Sequence, residues 1–174
     1  MATAAPEGPE IIVADPTLLR AIVDSVGSCL TMCDTAAKCV GASSIPTQDA
    51  GSVTGMIGIH GNVSGFVTVN MAEAVAMAAI GGLLQDQFEK LTPQVIDGVG
   101  EMTNIIAGGI KKGLSGTSWG FQHVTVPSVI VGHNYQIAYS RGLEYLCVTF
   151  EQTNEETFLL SDRLIKVAIS MLRL

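Results

Sequence analysis

Apolar residues recur along the chain with two different spacings, and these predict an alternation of helices and strands. A helical spacing follows Asp15 and Pro16, which suit the cap and the first turn of a helix, so a first helix with one apolar side is predicted. That side consists of Leu18, Leu19, Ile22, Val23, Val26, Leu30 and Cys33. Two further helices are predicted, over residues 72–84 and, with Thr92 as its cap, over residues 92–114.

Runs of β-branched and aromatic residues between these segments predict strands. The hairpin signal is clearest over residues 53–71, where Gly61-Asn62 supplies the turn. Residues 164–174 fit a strand or a C-terminal helix equally well. The order of the elements predicts an α+β fold, with helices packed on one face of a largely antiparallel sheet. The other predicted strands cover residues 38–46, 119–126, 128–132, 143–152 and 157–167.

The length and composition are those of one folded domain. With 174 residues and 48% hydrophobic content the chain can bury a substantial core, which we place in residues 16–174. Residues 1–15 are predicted to be a disordered tail, because this start is rich in Ala, Pro and Glu without periodicity. The longest apolar or glycine run, residues 74–84, has eleven residues, fewer than the roughly 20 of a membrane helix. We therefore expect a cytoplasmic protein with no membrane segment.

The charge and the metal-binding residue types exclude other classes of function. A net charge of -7 opposes binding to nucleic acid, which depends on Lys and Arg neutralising phosphates. The cysteines and histidines lack the spacing of a zinc site or a catalytic triad, so we expect no metal site and assign these residues to the core or the surface. They are Cys29, Cys33, Cys39, Cys147, His60, His123 and His133.

A polar stripe on the third predicted helix is the strongest sign of function. Asp97, Glu101 and Asn104 are spaced i, i+4 and i+7, which places them within about 60° of each other along roughly two turns. Gly100 and Gly108 belong to the same stripe, although each glycine costs about 0.8 to 1 kcal/mol against alanine inside a helix. We expect these two glycines to leave the carboxylate and the amide clear for a large partner. A polar face that is merely solvated would show the same spacing.

The opposite side of this helix is apolar and is predicted to be buried. Val99, Met102, Ile106 and Ile110 lie on that side. Gly109 and Gly113 also point toward it, and we expect them to allow close packing of the helix on the sheet.

The stripe resembles the active-site signature of the CheC/CheX/FliY family of chemotaxis phosphatases. Asp97, Glu101 and Asn104 have the spacing of that signature, and Pro127 follows Asn104 after twenty-two intervening residues. Residues 57–84 resemble the family's glycine-containing hairpin and the helix after it, and residues 124–132 resemble the strand that begins at the proline. Since the chain carries one copy of the motif, it is most similar to the CheX members.

This resemblance implies a phosphatase that acts on the aspartyl phosphate of a CheY-like receiver domain, with Mg²⁺ held by the receiver and no cofactor of its own. Asn104 would position the attacking water, because a carboxamide can accept one hydrogen bond and donate another without titrating. Glu101 would pair with a receiver lysine beside the phosphate. Asp97 would hydrogen-bond near the helix start or touch the receiver, and Pro127 would shape the strand entrance beside the helix.

Two questions stay open at this level. A non-catalytic, CheX-like module for docking or dimerisation in two-component signalling fits the same resemblance. The residues also do not identify the receiver, the pathway or any regulator.

A homodimer is expected from the charge pattern of two predicted strands. Residues 63–71 and 143–150 have few of the charges that protect exposed sheet edges. We therefore expect these segments to pair across a two-fold axis.

Overall fold

A computed structural model of the chain describes residues 14–46, 51–133, 135–139, 142–153 and 159–174. These residues form three α-helices, seven strands and one short 3-10 helix, which confirms the predicted α+β class. In chain order the elements are α1 (Pro16–Met32), β1 (Ala37–Ser43), β2 (Val53–Gly61), β3 (Val63–Met71), α2 (Glu73–Leu84), α3 (Pro93–Gly113), β4 (Phe121–Val124), β5 (Ser128–Val131), β6 (Glu144–Gln152), the 3-10 helix Leu160–Arg163 and β7 (Leu164–Arg173).

The strands form one antiparallel sheet in the order β1-β6-β7-β3-β2, and both β4 and β5 pair with the outer side of β2. The edges are therefore β1 on one side and β4 with β5 on the other. The prediction that residues 63–71 and 143–150 are open edges is wrong, because β3 lies between β2 and β7, and β6 lies between β1 and β7. Their lack of charge reflects burial in the middle of the sheet.

The C-terminal segment is a strand, which decides the alternative that its sequence left open. Ile165, Val167, Ile169 and Met171 alternate along β7 and are buried. The predicted strand over residues 157–167 is wrong in its extent, because residues 160–163 form the 3-10 helix and β7 continues to Arg173. Residues 157 and 158 lie outside the described part of the chain.

Asp15 fixes the start of α1 and joins it to Trp119, which follows the C-terminal end of α3 in the chain. Its carboxylate accepts a hydrogen bond from the backbone N–H of Thr17 at 2.8 Å, as the predicted cap requires, and another from the indole of Trp119 at 2.8 Å. The Trp119 hydrogen bond is the main cause that lowers the pKa of Asp15 below its ordinary value of 3.8. Asp15 is thus part of the fold, while residues 1–13 of the predicted tail lie outside the described residues.

The apolar side of α3 forms the centre of the core. Val99, Met102, Ile106 and Ile110 are fully buried, as predicted. The glycines on this side have a different role from the one expected, because they face α1 and not the sheet. A Cβ at Gly109 would overlap the side chain of Ser25, and one at Gly113 would lie 3.0 Å from the Cβ of Ala21. Close packing between two helices therefore explains both glycines.

Candidate active site

Residues at the start and in the middle of α3 fix the position of the helix that carries the polar stripe. Thr92 caps it by accepting a hydrogen bond from the backbone N–H of Val95 at 3.3 Å, and Pro93 occupies the first turn. In the middle, Thr103 is buried and donates a hydrogen bond to the Val99 carbonyl at 2.8 Å. The Thr103 side chain leaves no room for a Cβ at Gly55 of β2, so a glycine in the strand lets the helix lie close to the sheet.

The structure places the predicted polar residues on one exposed ridge of α3, which we call the signature ridge: Asp97, Glu101, Asn104 and Gly108. Asp97 and Glu101 are exposed and Asn104 is half-buried. Within the described part of the chain, none of these three side chains makes a hydrogen bond or an ion pair. Apart from the backbone of α3 itself and the two neighbours of Gly108 in the chain, no atom of the described residues lies within 4 Å of the position that a Cβ would take at Gly108. The ridge therefore offers a carboxylate and a carboxamide that are free to engage a partner.

Pro127 lies beside this ridge. It packs on Gly100, since a Cβ at Gly100 would be 3.7 Å from Pro127 Cγ and 3.6 Å from Val129 Cγ2. The expectation that Gly100 leaves the front of the helix bare is therefore wrong, because Gly100 is buried under the proline and β5. Gly108 alone of the two stripe glycines is open to solvent.

The segment before Pro127 is held firmly against the sheet. Thr125 receives a hydrogen bond from the backbone N–H of Gly58 on its Oγ1 at 2.9 Å, and its own N–H donates to the Gly58 carbonyl at 2.9 Å. Val126, between Thr125 and Pro127, is 84% exposed. The result is a fixed loop that borders the signature ridge and presents an apolar side chain to solvent.

The sequence interpretation missed four residues that set this geometry: Gly55, Gly58, Thr103 and Thr125. The signal that could have found two of them is the pair of glycines inside β2, since glycine within a strand often marks a place where other atoms approach closely. The two threonines carry no such signal. Their role depends on contacts between segments that are distant in the sequence.

The chain shows neither a metal-binding cluster nor a membrane helix in its described residues. No group of three or more His, Cys, Asp or Glu residues there has an arrangement that could hold a metal ion. Cys29, Cys33 and Cys147 are buried, as expected of core residues, whereas Cys39 is exposed on β1. No helix among the described residues is both long enough and apolar enough to span a membrane.

Solved structures of chemotaxis proteins share this fold. CheX from Vibrio vulnificus is 22% identical to this chain and superposes with a TM-score of 0.76, over 89% of this chain and 99% of that one. A putative chemotaxis protein from Desulfovibrio vulgaris Hildenborough is 24% identical with a TM-score of 0.75, over 89% and 96% of the two chains. Among curated proteins, none matches the sequence significantly.

A third similar structure contains a partner. It is the CheX-CheY-BeF3-Mg²⁺ complex from Borrelia burgdorferi, whose matching chain is 22% identical with a TM-score of 0.69, over 88% of this chain and 97% of that one. The family described as chemotaxis phosphatase CheX matches residues 53–151, which is more than half of the sequence and includes all of β2, α3 and the site residues. The chain therefore belongs to the CheX family of chemotaxis phosphatases.

Proposed function

We propose that this protein hydrolyses the aspartyl phosphate of a CheY-like receiver domain, and that the signature ridge is the catalytic surface. One observation carries the proposal. In a member of the CheX family, Glu101 and Asn104 stand one turn apart on an exposed helix, without partners in the described part of the chain, beside Pro127. The Borrelia burgdorferi neighbour, a CheX bound to CheY, supports the class of partner.

Asn104 is the proposed catalytic residue. Hydrolysis forms a bond between a water oxygen and phosphorus and breaks the bond between phosphorus and the receiver's carboxylate, which is a good leaving group. The transition state of such a transfer is loose, so the enzyme gains most by holding the water in line and little by removing its proton early. The Asn104 carboxamide can accept a hydrogen bond from the water while its amide group donates another. Its half-buried position restricts the side chain for this task.

Glu101 and Asp97 are proposed to dock and align the receiver. Glu101 is exposed one turn before Asn104, so its carboxylate can reach a cationic lysine beside the receiver's phosphate. Asp97 lies one further turn toward the start of α3, past the first turn where the helix dipole acts, and its exposed carboxylate can contact the edge of the receiver. Pro127 sets the shape of the border through Gly100, and exposed Gly108 lets the partner approach the helix backbone.

Magnesium has a place in this reaction as part of the substrate. We propose that Mg²⁺ is held by the receiver, in keeping with the ion named in the Borrelia burgdorferi complex, and that this chain contributes no cofactor of its own. A receiver substrate also implies action in the cytoplasm.

The decisive experiment follows the decay of a phosphorylated CheY-type receiver with and without the protein. We expect the wild type to accelerate decay and Asn104→Ala to lose about 10² to 10³ in rate, the usual effect of removing one preorganised polar group. Gln87→Ala is the matched control, because it removes an exposed carboxamide outside α3 and is expected to leave the rate unchanged. Wild-type rates in Asn104→Ala would contradict the mechanism. A protein that binds the receiver without accelerating decay would instead be a docking module.

We further propose a homodimer that joins two copies through β1. This strand is the edge farthest from β5, and its residues 38–42 are exposed with Lys38 as the one charge among them. Apart from the shift in register with β6 between Cys39 and Gly41, a single charge is all that protects this edge, which favours pairing with another strand. A two-fold contact between β1 strands would leave both signature ridges free, because Pro127 and α3 border the opposite side of the sheet.

A further inference from the structure

The signature ridge continues into a cavity of about 770 Å³ at the C-terminal end of α3. Gly108 belongs to both, and Lys111 and Lys112 line the cavity together with Asn62, Thr117 and Gln122. Lys111 follows Asn104 at i+7 and Gly108 at i+3, so it extends the ridge by one turn. The wall opposite the helix is tied down, because the backbone N–H of Asn62 donates to the Gly120 carbonyl at 3.0 Å.

The cavity is positively charged in a chain that carries a net charge of -7. Its described lining contains two lysines and no Asp or Glu. Neither lysine has an ion pair among the described residues, whereas Lys38 and Arg163 contact Glu151, and Arg173 contacts Glu144. Lysines in the last turn of a helix stabilise it through the helix dipole. The dipole does not explain why side-chain amides and hydroxyls form a cavity beside these two lysines.

Lys111 and Lys112 lie close enough to Asn104 to contact a partner that binds there. Seven residues of helix span about 10.5 Å. A standard interface covers roughly 800 Å² per partner, which is a disc with a radius of about 16 Å. A flat interface of this size centred on Asn104 therefore includes the cavity.

We propose that this cavity is a second contact site for the receiver, in which Lys111 and Lys112 bind carboxylate side chains of an acidic segment. The inference rests on the proposed function, since it takes the receiver to be the protein that docks on the ridge. In this inference the cavity increases the affinity for the receiver and helps to orient it, and Asn104 remains the proposed catalytic residue.

The test compares wild type with the double variant Lys111→Gln, Lys112→Gln in binding a CheY-type receiver loaded with BeF3⁻ and Mg²⁺. We expect the Kd to rise about three- to tenfold at low salt, and the difference from wild type to shrink toward 0.5 M salt as the charges are screened. Turnover at saturating phosphorylated receiver should stay at the wild-type rate. Lys38→Gln removes one charge from the far edge strand and should change the Kd less than twofold. Circular dichroism of each variant verifies folding.

Three results would overturn the inference, and they differ from those that overturn the proposed function. An unchanged Kd in the folded double variant means that the cavity lies outside the interface, even if the wild type is an active phosphatase. A higher Kd that is the same at all salt concentrations means that the lysines act through structure. Saturable binding of inorganic phosphate in the cavity, with unchanged receiver affinity, would assign it to a small anion. If the wild type does not bind the receiver, both proposals fail.

Discussion

Pro127 packs against Gly100 of α3, and the Cγ of Pro127 lies 3.7 Å from the position that a Cβ would occupy on Gly100. Val129 Cγ2 lies 3.6 Å from the same position. Twenty-six residues lie between Gly100 and Pro127 in the sequence, so this contact joins two distant parts of the chain at the border of the proposed active site. The distances are those of ordinary van der Waals contact, which means that the site has room for one more methyl group.

Gly100→Ala is therefore expected to stabilise the protein. Alanine gains up to about 0.8 to 1 kcal/mol over glycine inside a helix, and the new methyl group would pack on Pro127 and Val129 without displacing them. The free energy of unfolding from urea titration measures the effect. Gly55→Ala is the contrasting control, because its Cβ would overlap Thr103 and should cost about 1 to 3 kcal/mol. A loss of stability in Gly100→Ala would contradict the prediction, because it would mean that the added methyl group does not fit against Pro127 and Val129.

Glu101→Ala is expected to weaken association with the receiver more than it slows the chemical step. The carboxylate is exposed and is proposed to pair with a lysine, so its removal should raise KM and reduce the dependence of binding on salt. Asn104→Ala should lower kcat and keep the wild-type salt dependence. The kinetics of receiver dephosphorylation at several salt concentrations separate the two roles. Equal salt profiles in the two variants would contradict this division.

The contribution of Asp15 to stability should depend on pH. Its pKa in the folded protein is below the ordinary value of 3.8, chiefly because of the Trp119 hydrogen bond, so its ionised form stabilises the fold above about pH 4. That contribution is lost as the pH falls through the lower folded pKa. We expect Asp15→Ala to cost about 1 kcal/mol near neutral pH, as usual for a lost helix cap, and less at pH 3. Urea titrations of both proteins across this range test the prediction, and a constant difference would contradict it.

The proposed dimer predicts a particle of about twice the 18.2 kDa mass of one chain at micromolar concentration. Val40 is 46% exposed on β1, where the register with β6 shifts, so Val40→Lys should add a charge of the kind that protects sheet edges and shift the protein toward the monomer. Val131→Lys, at an exposed position of the edge strand β5, is the matched control and should leave the mass unchanged. Light scattering gives both masses. A wild-type mass of one chain would exclude this dimer and leave the catalytic proposal intact.

Local patterns in the sequence were sufficient for the elements and for the signature ridge. Asp15 and Thr92 cap the helices that they were predicted to begin, and the hairpin of β2 and β3 turns at Gly61-Asn62. The ridge also follows from spacing alone, because residues at i, i+4 and i+7 share one side of any α-helix. These features depend on neighbours within a few residues.

Only the tertiary structure decided which segments meet. The apolar strands β3 and β6 read as unprotected edges because their pattern reports burial and not the identity of the covering strand. Residues 164–174 suit a helix or a strand, and pairing with β3 and β6 on both sides selects the strand. Gly100 and Gly108 look alike in the sequence, yet Pro127 covers the first and solvent surrounds the second. Contacts between distant residues depend on how the whole chain closes, which no local period encodes.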